Sequence, residues 1–232
     1  SYCEHLARLT PNSLSSFVTP AAQRPASDFF AGNAEKAIPG MIVSATMNTN
    51  PLMIYFGQEL GEAGMDKEGF SGRDGRTTIF DYWSVDSIRN WRNGGKFGTV
   101  GFTKEQVGLR KFYTKLLQIC NEEEAIQKGQ FYDVMYANYE NTEFDSTKLY
   151  AFTRSTENEL LFIITNFSDQ DIEATTVLPE EMFNFLKLDP RKVKEAKELF
   201  SNKKIAPEEL FSNRLNTKVK AHSGKIIKFY LG

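Results

Sequence analysis

The sequence predicts an α/β segment followed by an all-β segment, with the pattern changing near residue 121. Before that point, apolar residues recur at helical spacing on either side of one continuous apolar run, residues 51–57. After it, short runs of alternating apolar and polar residues are separated by turn-forming residues, which is typical of antiparallel strands. The 232 residues, 41% of them hydrophobic and 25% charged, fit one large domain or two small ones.

Charge and composition exclude several classes of function. Lys and Arg number 28 against 30 Asp and Glu, and a net charge of −2 gives no reason to expect a nucleic-acid partner. No run approaches the roughly 18 apolar residues of a membrane span, so no membrane partner is predicted. Neither the cysteines, Cys3 and Cys120, nor the histidines, His5 and His222, have metal-ligand spacing, and we predict no metal or cofactor. The cellular compartment stays open.

Three parts follow one another along the chain. Residues 1–25 contain three prolines and no sustained period, and they are predicted to form an irregular lead-in. Residues 26–120 form the α/β part and residues 121–232 the all-β part. These boundaries are predictions from pattern and composition alone.

The α/β part begins with a helix and a strand. Between residues 33 and 48, apolar side chains fall on one helical face, and Pro39 must kink that helix or lie in its first turn. The run PLMIYFG, residues 51–57, is predicted to be a strand covered on both faces, as in parallel sheets.

Capping patterns predict two further helices. Ser84 is expected to cap a short helix that ends at Gly94 and Gly95, with Trp83 and Ile88 as a hydrophobic staple. Further on, TKEQ at residues 103–106 is a capping box ahead of a helical apolar stripe. The stripe consists of Leu109, Phe112, Tyr113, Leu116, Leu117 and Cys120.

Six alternating runs in the last part predict an antiparallel β-sandwich with Greek-key connections. The runs are QFYDVMYAN, KLYAFTR, ELLFIITNF, DIEATTVL, TKVKA and KIIKFYL. One helix is expected to interrupt them, with Asp189 as its cap and Pro190 in its first turn. Its apolar side would carry Val193, Ala196, Leu199 and Phe200.

The segment after the predicted strand, residues 57–83, is the candidate site, and we call it the 57–83 loop. It is long, and it begins where a parallel strand would end, which is where ligands bind in α/β sheets. Carboxylates and guanidinium groups hydrogen-bond hydroxyls, and aromatic faces cover sugar rings, so a polyol ligand is predicted. The candidate binding residues are Glu59, Arg73, Asp74, Arg76 and Tyr82.

Two structural interpretations of these residues stay open. Glu59 could form an ion pair with Arg73 or Arg76 that pins the loop, with or without ligand contact. Tyr82 and Trp83 could pack over the helix that follows.

Two segments carry a family resemblance. PLMIYFGQELGE resembles the eighth barrel strand of glycoside hydrolase family 13, the α-amylase family, where a proline, an aromatic pair and Gly followed by Gln or Asp and then Glu recur. SGRDGRTTIFDYW resembles the loop after that strand, and residues 121–232 resemble the family's all-β C-terminal domain. The resemblance covers roughly residues 26–232. It implies a remnant of a (β/α)8 barrel, about one strand with its helices, followed by the sandwich.

The resemblance also implies a substrate and identifies catalytic acids of the family that this sequence lacks. The family cleaves α-glucans, which makes an α-glucan oligosaccharide or polysaccharide the expected partner, and retaining hydrolysis needs two carboxylates about 5 Å apart. Two of the family's three acids would lie upstream of Ser1. The third belongs to an Asn-His-Asp motif expected shortly before Ala26, where the sequence reads FVTPAAQRPAS. We therefore predict no catalytic residue, and Glu59 with Asp74 is a poor substitute pair.

Three hypotheses follow. The chain is a C-terminal fragment of an α-glucan hydrolase, inactive alone, with the missing barrel portion as a possible partner. Alternatively, it is a non-catalytic glucan-binding or structural β-domain module. A third hypothesis, suggested by the uncharacteristic residues 1–25, is the product of an interrupted gene.

Overall fold

A computed structural model describes residues 15–16, 23–66, 73–77 and 85–231. The chain forms two compact units. One, which we call the loop unit, comprises Leu14–Ile38 and Pro51–Leu116. The other, the sheet unit, comprises Ser1–Ser13, Pro39–Asn50 and Leu117–Gly232. Among the described residues, no helix has both the length and the apolar character needed to cross a bilayer.

The described secondary structure is mixed α and β. The helices are α1 (Ile38–Thr46), α2 (Asp86–Arg92), α3 (Lys104–Glu122), α4 (Glu124–Lys128) and α5 (Glu180–Leu186). The strands are β1 (Ser15–Ser16), β2 (Leu52–Met53), β3 (Gln130–Asp133), β4 (Leu149–Ser155), β5 (Glu159–Asn166), β6 (Ile172–Val177), β7 (Val193–Glu198), β8 (Lys204–Ile205), β9 (Arg214–Val219) and β10 (Ser223–Leu231).

The predicted strand at residues 51–57 is only two residues long. β2 pairs in parallel with β1, which lies in the segment predicted to be an irregular lead-in, most of which is outside the described residues. The predicted length of the strand needs correction. The backbone N–H of Tyr55 donates to the Gln58 side chain at 3.3 Å rather than to a neighbouring strand. Gly57 then turns the chain with a φ of 76°. An apolar run indicates that a segment is buried, but whether the segment forms a strand depends on a partner far away in sequence.

Two predicted helices are confirmed. α1 follows a 3₁₀ turn at Ala34–Ala37, and Pro39 lies in its first turn with its own side chain buried. At the start of α3, the Thr103 N–H donates to the Gln106 side chain at 3.1 Å, and the Gln106 N–H donates to the Thr103 hydroxyl at 3.3 Å. Of the predicted stripe on α3, Leu109, Tyr113 and Leu116 are buried.

The short helix α2 begins one residue later than expected. Its N-cap is Val85, without a side-chain cap, rather than Ser84; Ser84 and Trp83 lie outside the described residues. The helix ends at Asn93, whose φ of 44° is left-handed, and a turn through Gly95 follows.

All six predicted strands of the sheet unit are present. β3, β4, β5, β10, β7 and β8 form one antiparallel sheet in that order, and β6 pairs with β9 in a second. One core joins the two sheets, built from side chains such as Phe162, Ile164, Leu215, Val219 and Phe229. All eight residues of β5 are buried, which places this strand at the centre of the unit.

The predicted helix at residues 189–200 is wrong. Asp189 does cap a turn, accepting from the Arg191 N–H at 3.0 Å, but the turn ends at Lys192 and β7 follows. β7 pairs with β10 through a bulge, because Glu195 faces Tyr230 whereas Val193 faces Leu231. The extra residue turns Val193 and Ala196 to the same buried side. A bulge in a strand can thus place residues three apart on the same side, as a helix does. No element was predicted at α4, α5 or β8.

Arg154 of β4 is the polar anchor of the sheet unit. Its guanidinium is buried and donates to four carbonyl oxygens: Ala125 at 3.0 Å, Ile126 at 3.1 Å, Gly129 at 2.8 Å and Met47 at 3.0 Å. Burial lowers the pKa of Arg154 to about 10. This one side chain therefore ties α4 and the residue after α1 to the sheet.

A buried ion triad supports the same junction. The Lys228 ammonium lies 2.5 Å from a carboxylate oxygen of Glu123 and 2.5 Å from one of Glu159. The other Glu159 oxygen accepts from the Ala125 N–H at 2.6 Å. Although burial lowers the pKa of Lys228, its hydrogen bonds to the two carboxylates outweigh that effect and raise it.

We expect Arg154→Met to lower the free energy of unfolding by about 3 kcal/mol, because four carbonyl oxygens, two of them in buried contacts, lose a charged donor. The matched control is Arg191→Met, since the Arg191 side chain is 87% exposed; it should change stability by less than about 0.5 kcal/mol. Urea unfolding followed by circular dichroism measures both. Equal effects would contradict the anchoring role of Arg154.

Candidate functional site

The 57–83 loop opens with a tight turn. Gly57 has a left-handed φ of 76°, and the 3₁₀ turn Gln58–Leu60 follows. The Gln106 side chain of α3 donates to the Leu60 carbonyl at 3.2 Å and so holds the end of this turn. The residue that caps α3 therefore also positions the start of the loop.

The Arg24 guanidinium organises the described part of the loop. Its Nε donates to the Thr77 hydroxyl at 2.9 Å, and one terminal nitrogen donates to the Phe56 carbonyl at 2.8 Å. Its central carbon lies 4.3 Å from the centre of the Tyr55 ring. The Arg24 backbone N–H also donates to the Gly75 carbonyl at 2.6 Å. A fully buried cation thus joins residues 55–56, which follow β2, to residues 75–77.

A chain of hydrogen bonds continues from Tyr55 to α3. The Tyr55 hydroxyl donates to the Thr77 carbonyl at 2.6 Å, and the Gln58 side-chain amide donates to the Tyr113 hydroxyl at 2.9 Å. Burial raises the pKa of Tyr113 to about 12, against the opposing effect of the Gln58 hydrogen bond, and the Glu59 charge adds to the rise. Burial also raises the pKa of Tyr55. Both phenols are neutral at physiological pH.

Backbone contacts close the loop on itself. The Gly75 N–H donates to the Gly64 carbonyl at 2.9 Å. Glu62 accepts from the Gly64 N–H at 2.9 Å with one oxygen and from the Ser87 hydroxyl at 2.6 Å with the other. Gly64 has a φ of 61°, and a Cβ there would lie 2.7 Å from the Arg76 nitrogen. The two limbs of the loop can meet this closely only because residue 64 is glycine.

Of the candidate binding residues, Asp74 and Arg76 are brought together. A terminal nitrogen of Arg76 lies 2.7 Å from the Asp74 carboxylate, which also accepts from the Arg76 N–H at 3.0 Å. Glu59 is half-buried in the 3₁₀ turn and Arg73 is exposed. Tyr82 lies outside the described residues. The ion pair that Arg76 forms within the described chain is with Asp74, and not the one with Glu59 that the sequence left open.

Sequence reasoning missed the residues that shape the site. Arg24 and Thr77 lack any recognisable motif, and Tyr113 was assigned only to an apolar stripe. Their roles arise from contacts 22 to 55 residues apart in sequence. Within the part of the chain that the structure describes, no group of three His, Cys, Asp or Glu side chains is placed to hold a metal ion. The arrangement offers a rigid frame with a paired carboxylate and guanidinium, suited to hydroxyl groups.

Comparison with known proteins identifies the fold. No protein-family model matches the chain, and no curated protein matches it in sequence. Solved structures do match. An α-amylase from Geobacillus thermoleovorans, complexed with acarbose, is 11% identical over 98% of this chain, with a TM-score of 0.61. A maltogenic α-amylase from Thermotoga neapolitana is 13% identical over 99% of the chain, with a TM-score of 0.59.

The chain shares its fold with α-amylases. A debranching enzyme from Nostoc punctiforme, soaked with acarbose, is similar as well, with 16% identity over 97% of this chain and a TM-score of 0.56. The match covers 36% of the debranching enzyme, 42% of the Geobacillus amylase and 44% of the Thermotoga amylase. The present chain thus spans less than half the length of these enzymes, and it matches their C-terminal part.

We expect Gly64→Ala to destabilise the loop unit through a clash as well as through backbone strain. The control is Gly94→Ala, because Gly94 has a similar φ of 63° and open space around it. Strain alone should cost about 1 kcal/mol, and the clash at residue 64 should add about 2 kcal/mol or more. Urea unfolding measures the difference, and equal losses would show that the two limbs are not in close contact.

A second prediction concerns pH. Because folding raises the pKa of Tyr113 from 10.0 to about 12, its contribution to stability is full below pH 10 and is lost as the pH rises to 12. In Tyr113→Phe, the free energy of unfolding should fall less steeply than in the wild type across this window. Denaturant titrations at several pH values test this. Parallel curves would show that the Tyr113 phenol is not shielded from water.

Proposed function

We propose that this chain is the C-terminal part of an α-amylase-type glycoside hydrolase that acts on α-glucans such as starch or maltooligosaccharides. The observation that carries the proposal is the structural likeness, which extends over 97–99% of this chain in the three enzymes compared. Two of them are described with acarbose, and a further similar structure, AmyP, is described in complex with maltose. Glucan binding at the loop is the corresponding role for this chain.

The proposed architecture is more detailed than the fold that the comparisons show. We infer that residues 26–120 are a remnant of a (β/α)8 barrel and that residues 121–232 are a Greek-key sandwich. In support of the first, β2 lies within residues 26–120 and pairs in parallel with β1 at Ser15–Ser16, and barrel strands are parallel. The two antiparallel sheets over one core support the second.

The proposed binding residues are Glu59, Arg73, Asp74, Arg76 and Tyr82. The ion pair between Asp74 and Arg76 holds a carboxylate acceptor and a guanidinium donor in fixed positions, so little side-chain freedom is lost when hydroxyls bind. Arg24 holds residues 75–77 in place through its hydrogen bonds to the Gly75 carbonyl and the Thr77 hydroxyl. Tyr82 would supply an aromatic face to the sugar ring.

Hydrolysis is not proposed for this chain alone. A retaining mechanism needs a nucleophile and an acid/base carboxylate on either side of the bond. The segment FVTPAAQRPAS has neither Asp nor His where the resemblance places the third acid. We propose that a barrel portion outside this chain carries the catalytic acids, while the present residues contribute the rim of the cleft.

The test uses maltoheptaose and a matched pair of variants. We expect Arg76→Gln to weaken binding about tenfold, because a charged donor to the sugar hydroxyls is lost. Arg89→Gln is the control, since Arg89 forms a similar ion pair, with Asp86, on the exposed face of α2. Isothermal titration calorimetry measures affinity, and chromatography of the same samples detects cleavage products.

Both parts of the proposal can fail separately. Equal affinities of the two variants would remove Arg76 from the binding site. Release of shorter maltooligosaccharides by the purified chain would overturn the claim that it lacks catalytic acids.

A further inference from the structure

The sheet unit exposes large side chains of an unusual kind. The large hydrophobic residues exposed in its described part are all aromatic: Tyr136, Tyr139, Phe167 and Phe185. Its buried side chains include both aliphatic and aromatic residues, such as Leu160, Ile163 and Phe162, whereas the exposed large ones are aromatic. Exposed apolar groups that cluster indicate a binding surface. Tyr136 and Phe185 do cluster, around Tyr132.

Three elements present this cluster, which we call the aromatic platform and define as Tyr132, Tyr136 and Phe185. Tyr132 lies on β3 and packs against the core with one side. Tyr136 lies in the 3₁₀ turn that follows, which Asp133 holds by accepting from the Met135 N–H at 2.8 Å.

Helix α5 supplies the third ring. Met182, Phe183 and Leu186 are buried and fix the helix on the core, whereas Phe185 is 60% exposed. A phenylalanine so exposed contributes little to folding, because its ring stays largely in water. The core residues of α5 therefore hold Phe185 at the surface beside the tyrosines.

The rings are close and carry polar edges. The Tyr132 ring centre lies 5.5 Å from that of Phe185 and 6.3 Å from that of Tyr136. The hydroxyls of Tyr132 and Tyr136 are 2.8 Å apart and hydrogen-bonded. Burial, this hydrogen bond and the nearby charges of Glu181 and Asp133 raise the pKa of Tyr136. Asp133 follows Tyr132 on β3, and Glu181 precedes Phe185 by one helical turn on α5, so the elements that present the rings also carry two carboxylates.

We propose that the aromatic platform is a second glucan-binding site, separate from the loop. A glucan chain offers apolar ring faces that stack on aromatic groups and hydroxyls that donate to carboxylate and phenol oxygens. The platform supplies both, through its rings and through Asp133 and Glu181. The choice of glucan rests on the proposed function.

The experiment titrates the full chain with maltoheptaose and counts sites. We expect the wild type to bind at two sites and the double variant Tyr136→Ala Phe185→Ala to weaken one of them about tenfold, because two stacking faces are lost. Phe167→Ala is the matched control: this aromatic is 47% exposed and forms no ring contact with the platform among the described residues. It should bind as the wild type does.

The outcomes separate this proposal from that for the loop. The platform proposal is supported if one binding site is weakened in the platform variant and the same site is kept in Arg76→Gln. This holds whether or not the loop also binds sugar. Unchanged binding in the platform variant overturns the platform and leaves the loop proposal standing. A shift from oligomer to monomer in sedimentation velocity, with sugar binding unchanged, would also overturn it, by showing a contact between copies of the chain.

Discussion

The buried Arg24 guanidinium is the constraint on which the candidate site depends. A fully buried cation is costly unless its donors and its charge are compensated. Here the compensation comes from the Phe56 carbonyl, the Thr77 hydroxyl and the faces of two aromatic rings. Tyr55 and Phe56 lie between β2 and the 57–83 loop, and Thr77 lies within that loop. Arg24 thereby holds Gly75 and Thr77, the residues on either side of Arg76.

The sheet unit also compensates buried charges, but with different groups. Arg154 meets the carbonyls of a short helix, and Lys228 meets two buried carboxylates beside it. Such groups add less net stability than apolar packing would, but they allow one docking of α4 against the strands.

The failures of prediction have identifiable physical causes. Residues 189–200 were predicted as helical from the spacing of Val193 and Ala196, and a bulge opposite Leu231 produces that same spacing in a strand. The strand at residues 51–57 was predicted from apolar content, and the structure pairs Leu52 and Met53 of it with β1. The 57–83 loop stays a predicted site, and the contribution of Arg24 to its structure was not foreseen, because nothing in the neighbouring sequence reveals that Arg24 is buried.

The sequence alone determined the elements whose signals are local. The capping box at Thr103, the stripe of α3 and the six alternating strands depend on residues close together in the chain, and all appear in the structure. Only the tertiary structure decided which strands pair, where the bulge between β7 and β10 falls, which cation contacts the loop and which rings of the aromatic platform meet at the surface. Those outcomes depend on contacts between residues far apart in sequence, whose energies exist only once the chain has folded.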